Sequence, residues 1–104
     1  MASGVYAKVD VSNASTWTTL VAPPASGVKV ATVTLCNRTG SNMTVRLALA
    51  ATSSVTNADV IEYDTTIPAN GVLERTGIVL DTSNGLQVWS SAAGLTAVSY
   101  GIDS

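Results

Sequence analysis

The chain has 104 residues, one domain's worth, with a formal net charge of −2 and 12% charged residues. Its five basic residues (Lys8, Lys29, Arg38, Arg46, Arg75) are scattered, which excludes the basic patch of a direct nucleic-acid binder and the polybasic segment of a membrane anchor. There is no histidine and a single cysteine, which excludes the usual general base, Ser–His and Cys–His pairs, CxxC sites and an intrachain disulfide.

Every stretch of the chain predicts strand or turn. Residues 4–11 alternate with period two, with Val5, Ala7, Val9 and Val11 on one face and Tyr6, Lys8 and Asp10 on the other. Residues 16–22 predict a second strand, stopped by Pro23 and Pro24, which cannot donate to a ladder. A third strand spans 28–38, and its parity slips: Val28 and Val30 are even, Val33 and Leu35 odd. That slip predicts a bulge near Ala31 and Thr32, or a strand buried on both faces. Residues 37–42 are rich in types that tolerate left-handed backbone, a turn signal.

A fourth strand, 43–51, points Val45, Leu47 and Leu49 inward and Thr44, Arg46 and Ala48 outward. A polar loop to residue 58 leads to a fifth strand, 59–66, with Ile61 and Tyr63 opposite Val60, Glu62 and Asp64. Pro68-Ala69-Asn70-Gly71 is a turn, and 72–80 a sixth strand in which Gly77 marks a bulge or kink. After a turn at 81–85 come strands at 86–91 and 95–102, joined through Ala92-Ala93-Gly94. No segment has helical periodicity with caps.

Eight short strands at this spacing predict an all-β fold, a single β-sandwich or jelly-roll-like domain of about eight antiparallel strands over residues 1–104. Jelly roll is the leading topology. Residues 1–10 form either an intersubunit arm or an ordinary edge strand of the sandwich.

The remaining chemistry is sparse. Glu62 and Asp64 sit two apart on one strand face, a spacing of about 7 Å that a glycosidase pair tolerates. Asp59, Glu62 and Asp64 are the nearest thing to a calcium cluster, without the spacing of an EF-hand loop. Exposed carboxylates on a solvent face account for both groupings, so no catalytic, metal or cofactor residues are assigned, and the chain is not expected to be an enzyme. Cys36 reads as a buried, inert thiol. The sequons at Asn13, Asn37 and Asn42 read as accidents of a Ser/Thr-rich chain. Residues 1–4 lack a charged or apolar signal region, so no secretory leader is expected. Trp17 and Trp89 read as core or interface side chains rather than a sugar-stacking platform. A mean hydropathy of +0.34 beside so little charge implies surface that favours being covered, hence self-association.

The segments Val5-Tyr6-Ala7-Lys8, Cys36-Asn37-Arg38-Thr39 and Ile61-Glu62-Tyr63-Asp64 have a family likeness. So do the block from Gly71 to Ile78, the turn Ser90-Ser91-Ala92-Ala93-Gly94 and the closing Gly101-Ile102-Asp103. Together they resemble small β-sandwich virion proteins of tailed bacteriophages, and the likeness spans nearly the whole chain. It implies a capsid-decoration or cement protein, made in the host cytoplasm and located in the virion. Such a protein bridges capsomers and partners with itself, a trimer being favoured, and with the major capsid protein or other virion proteins. It implies no cofactor. A neck, tail or head-fibre component is the alternative within that class, and a carbohydrate-binding module the alternative outside it. The expected interface residues are Val5, Tyr6, Lys8, Trp17 and Trp89.

Overall fold

The computed structural model of the chain describes residues 4–103. Eight strands follow in order: β1 (Gly4–Val11), β2 (Thr18–Val21), β3 (Lys29–Asn37), β4 (Met43–Ala50), β5 (Val60–Ile67), β6 (Val72–Leu80), β7 (Gly85–Ser90) and β8 (Leu95–Asp103). A 3₁₀ turn at Asn57–Asp59 interrupts the polar loop ahead of β5, where the Asp59 carboxylate accepts from the Thr56 backbone N–H and hydroxyl.

The strands form two four-stranded antiparallel sheets, ordered β1-β8-β3-β6 and β2-β7-β4-β5. The pairs β1–β8, β2–β7, β3–β6 and β4–β5 are those of one long hairpin folded back between β4 and β5. Rolling that hairpin adds the pairs β3–β8 and β4–β7 and closes both sheets. This is the jelly-roll connectivity, which the strand count alone had left open.

The core lies between the sheets. Val33 and Leu35 of β3, Leu47 of β4, Leu86 and Val88 of β7 and Leu95 of β8 have no solvent exposure. Each fully buried aliphatic side chain of this kind contributes about 1.5–3 kcal/mol. Small residues between them, Ala31 and Ala97, let the sheets approach. One backbone approach is closer still: a Cβ on Gly101 would lie 2.0 Å from the Val30 carbonyl oxygen, so β3 and β8 pair there only because residue 101 has no side chain.

The end of the sandwich is tied by a buried amide. Asn37, wholly buried at the end of β3, donates from Nδ2 to the carbonyls of Ser41 (2.8 Å), Ile67 (3.1 Å) and Pro68 (3.1 Å). Its Oδ1 accepts from the Thr39 backbone N–H (3.0 Å) and hydroxyl (2.7 Å). One side chain thus fixes both the β3–β4 loop and the β5–β6 loop, leaving none of its own polar atoms unsatisfied.

Several faces differ from the period-two expectation. In β1 the register with β8 shifts between Val5 and Ala7. Tyr6 therefore turns to pack on the core, and Val5 is left exposed. In β3 there is no bulge, because its pairing with β8 runs unbroken from Lys29 to Asn37. The irregularity lies across the ladder on β6, at Gly77, whose φ of +71° suits a residue without a Cβ. The even-numbered Val30 simply faces out. In β4, Ala48 is buried as well as Leu47, and Leu49 is half-buried. In β5 the register shifts twice against β4, and Asp64 adopts a φ of +52°. Glu62 and Asp64 consequently do not share a face.

Candidate interaction surfaces

The chemistry-bearing residues are separated by the fold. Glu62 reaches across the open edge of the sandwich to Arg75 on β6 and accepts from the Thr65 hydroxyl (2.8 Å). Asp64 turns to the outside of its sheet and accepts from Arg46 Nε (2.6 Å) and Nη2 (3.3 Å). Asp59 is engaged with Thr56. The three carboxylates therefore face three different partners. Among the described residues no three His, Cys, Asp or Glu side chains gather as a metal site.

What the fold does build is two contrasting outer faces. On the outer face of the β2-β7-β4-β5 sheet, Arg46 on β4 lies opposite Trp89 on β7, with its guanidinium carbon 3.9 Å from that ring's centroid. The same carbon is 4.3 Å from the centroid of Tyr63 on β5, and Asp64 holds the guanidinium from the side. Its hydrogen bond to Asp64 raises the Arg46 pKa further above its ordinary value. The charge is thus spread over two rings and a carboxylate, a cation–π stack across three strands. Tyr63 is 64% exposed and borders a shallow depression of about 410 Å³ lined also by Asn57 and Val60.

The outer face of the β1-β8-β3-β6 sheet is of another kind. Its two central strands present Val30, Thr32, Thr34 and Cys36 from β3 against Ile102, Tyr100, Val98 and Thr96 from β8. None of these eight side chains is charged. Val79 and Val72 on β6 and Val5 on β1 extend the apolar surface sideways. Among the described residues the exposed large hydrophobics other than Tyr63, namely Val5, Val30, Val72, Val79, Tyr100 and Ile102, lie here. Charge is confined to the edges, with Lys8 and Asp10 on β1 and Glu74 on β6. Asp10 is paired with Arg38. Glu74 accepts from the Tyr100 hydroxyl (3.0 Å).

The five expected interface residues fall in different places. Val5 and Lys8 lie on the apolar face, opposite Tyr100 and Val98 of β8. Tyr6 is turned away from it, half-buried against the core, with the Lys29 ammonium 4.5 Å from its ring centroid. Trp89 lies on the other sheet, in the stack with Arg46, and Trp17 is half-buried just ahead of β2. Neither tryptophan is a core side chain; the core is built from Leu, Val, Ile, Met and Ala. Cys36 corrects a further expectation, being half-buried on the outer face rather than in the interior.

The sequence reading missed Val30, Val79, Tyr100 and Ile102. One signal for the first was present: the parity slip of Val30 against Val33, read as a bulge, was an apolar side chain on the outside. No family model matches the chain, and no curated protein matches it.

Proposed function

We propose that the protein is a structural component of a bacteriophage virion, a decoration or cement protein of the head that works by packing against other polypeptides. The observation that carries this reading is the uncharged outer face of β3 and β8, flanked by exposed Val5, Val72 and Val79. An uncharged sheet face carrying this many exposed large hydrophobic side chains is the surface of a protein that ends in contact with another protein. The likeness of segments such as Ile61-Glu62-Tyr63-Asp64 to phage virion proteins supports the same reading, and so does a jelly-roll fold, which recurs in viral capsid domains. The proposed mechanism is additive burial: each contact contributes modestly, and repetition over a shell makes the sum large. Such a role needs no catalytic or metal residue, and the partners are its own copies together with the major capsid protein or a neighbouring neck or tail component.

Mass spectrometry and negative-stain imaging of purified virions test the proposal. The chain is expected in many copies per particle, and particles made without it are expected to lose heads under heat or osmotic shock. Absence of the chain from purified particles would overturn it.

A second reading rests on the stack of Tyr63, Arg46 and Trp89 beside the 410 Å³ depression. An exposed aromatic ring next to a shallow hollow of mixed lining suits a sugar ring, which makes a glycan-binding role the alternative. Glycan-array binding that is lost in Tyr63→Ala would favour it.

A further inference from the structure

The proposed packing role leaves open what the apolar sheet face meets first, and its charge layout points to one occupant. The face is organised in rows across the strands. One row is Val79–Val30–Ile102, from β6, β3 and β8. The next sets Thr32, Tyr100 and Val5 side by side. The third runs Glu74–Thr34–Val98–Lys8, and the fourth Val72–Cys36–Thr96–Asp10. The third row is the informative one. It carries an acid on the β6 edge and a base on the β1 edge, with two uncharged residues between. Neither Glu74 nor Lys8 has an ion-pair partner among the described residues, whereas Asp10 in the fourth row has Arg38.

We infer that this face pairs with the same face of a second copy about a two-fold axis running along the strands. Such an axis lays the β6 edge of one copy over the β1 edge of the other and keeps each row over its own counterpart. The Val79–Val30–Ile102 row then covers itself. Glu74 of each copy meets Lys8 of the other, giving two ion pairs at the rim of an apolar contact. An axis across the strands does neither, because it sets the apolar row over the row that ends in Asp10. Self-complementarity about a two-fold is the signature of an isologous contact, and two sheets with near-parallel strands pack in the ordinary aligned manner.

The size is adequate. Four strands about 4.8 Å apart and nine residues long at about 3.3 Å each give a face of roughly 550 Å². Covering it on both copies removes about 1,100 Å² from water, just above the roughly 1,000 Å² that a specific contact requires. The inference rests on the packing role proposed above and adds the identity of the first partner and its symmetry, which is two-fold where the resemblance implies a trimer.

Sedimentation velocity on the full chain at low ionic strength tests it. The wild type is expected to be a dimer at about 100 μM, and Val30→Lys a monomer, because it buries an unpaired ammonium in the contact. Lys8→Glu alone and Glu74→Lys alone are each expected to weaken pairing about tenfold or more, since each creates two like-charge contacts. The double variant Lys8→Glu/Glu74→Lys is expected to restore it. Lys8 and Glu74 are both exposed, so far-UV circular dichroism should be unchanged in all three. The Cys36 thiol, inside the covered area, is expected to react with a thiol reagent more slowly in the wild type than in Val30→Lys. A wild-type monomer, a trimer, a dimer indifferent to both single reversals, or equal Cys36 reactivity would each overturn the pairing. A monomer still found in purified virions would overturn the pairing and leave the packing role standing. A charge-rescued dimer absent from virions would support the pairing and remove the role.

Discussion

Arg75 on β6 donates to the Glu62 carboxylate on β5, and the two residues belong to different sheets. Their strands are the free edges on one side of the sandwich, so the pair closes an opening that no backbone hydrogen bond spans. Arg75 Nη1 also donates to the Ile61 carbonyl (3.3 Å). Both side chains keep partial contact with water, at 40% and 24% exposure, so solvent screens the attraction. Arg75→Ala removes the ion pair, the carbonyl bond and the cover of the aliphatic stem, and is expected to lower stability by about 1 kcal/mol. Urea denaturation checks this: a lower midpoint at unchanged slope is the expected result.

Asn37 should be far less tolerant. Asn37→Ala strips three backbone carbonyls and two Thr39 donors of their common partner in a fully buried position, and a loss of about 3 kcal/mol is expected. Asn37→Asp is expected to be worse near neutral pH, because a carboxylate cannot donate to those carbonyls. Burial and the surrounding carbonyls raise the folded-state pKa of the introduced acid above its unfolded value, so the protonated form is the one the fold tolerates. The variant should therefore regain stability relative to wild type as pH falls through that raised pKa. Thermal melts of both variants from neutral to acid pH measure the effect, and a pH-independent difference between Asn37→Asp and wild type would contradict it.

Ser99 lies on the inward side of β8 with no solvent exposure, and its hydroxyl has no hydrogen-bond partner among the described residues. A buried unsatisfied hydroxyl is a cost that alanine removes at nearly the same volume. Ser99→Ala is expected to raise stability by about 1 kcal/mol, read as a higher melting temperature in a calorimetric scan. A lower melting temperature would show that the hydroxyl is satisfied in solution.

The turn between β6 and β7 should respond to acid. The Ser83 backbone N–H (2.9 Å), and after it the Asn84 amide (2.9 Å), hold the Asp81 carboxyl below its ordinary range. A depressed folded-state pKa stabilises the turn above the unfolded pKa, and that contribution is lost as pH falls through the folded one. NMR titration is expected to show the Ser83 amide resonance moving, and its hydrogen exchange protection falling, only below the usual carboxylate range. Asp81→Asn should abolish that transition.

Much of the fold was legible because a half-buried strand writes its faces into the sequence with period two. β1 and β6 begin and end where alternation and turn residues place them. What escaped was decided by partners distant in the chain. The outward turn of Val5 depends on a bulge against β8, and the separation of Glu62 from Asp64 on bulges against β4. Asn37 looked like a turn former because turns favour asparagine; that its amide would find the carbonyls of Ile67 and Pro68 depends on how the sheets stack. The surfaces were least legible. Val79, Val30 and Ile102 are far apart in sequence, and only the strand order makes them neighbours.

The β1–β8 pairing, in which Gly4 stands opposite Gly101, also governs how the molecule comes into being. Emerging from the ribosome, the leading strand has no sheet partner until the eighth has been synthesised. The same long wait holds for β2, whose partner is β7. A nascent chain of this design therefore carries β1 and β2 without sheet partners until β7 and β8 have been made, long after β3 to β6 can pair among themselves.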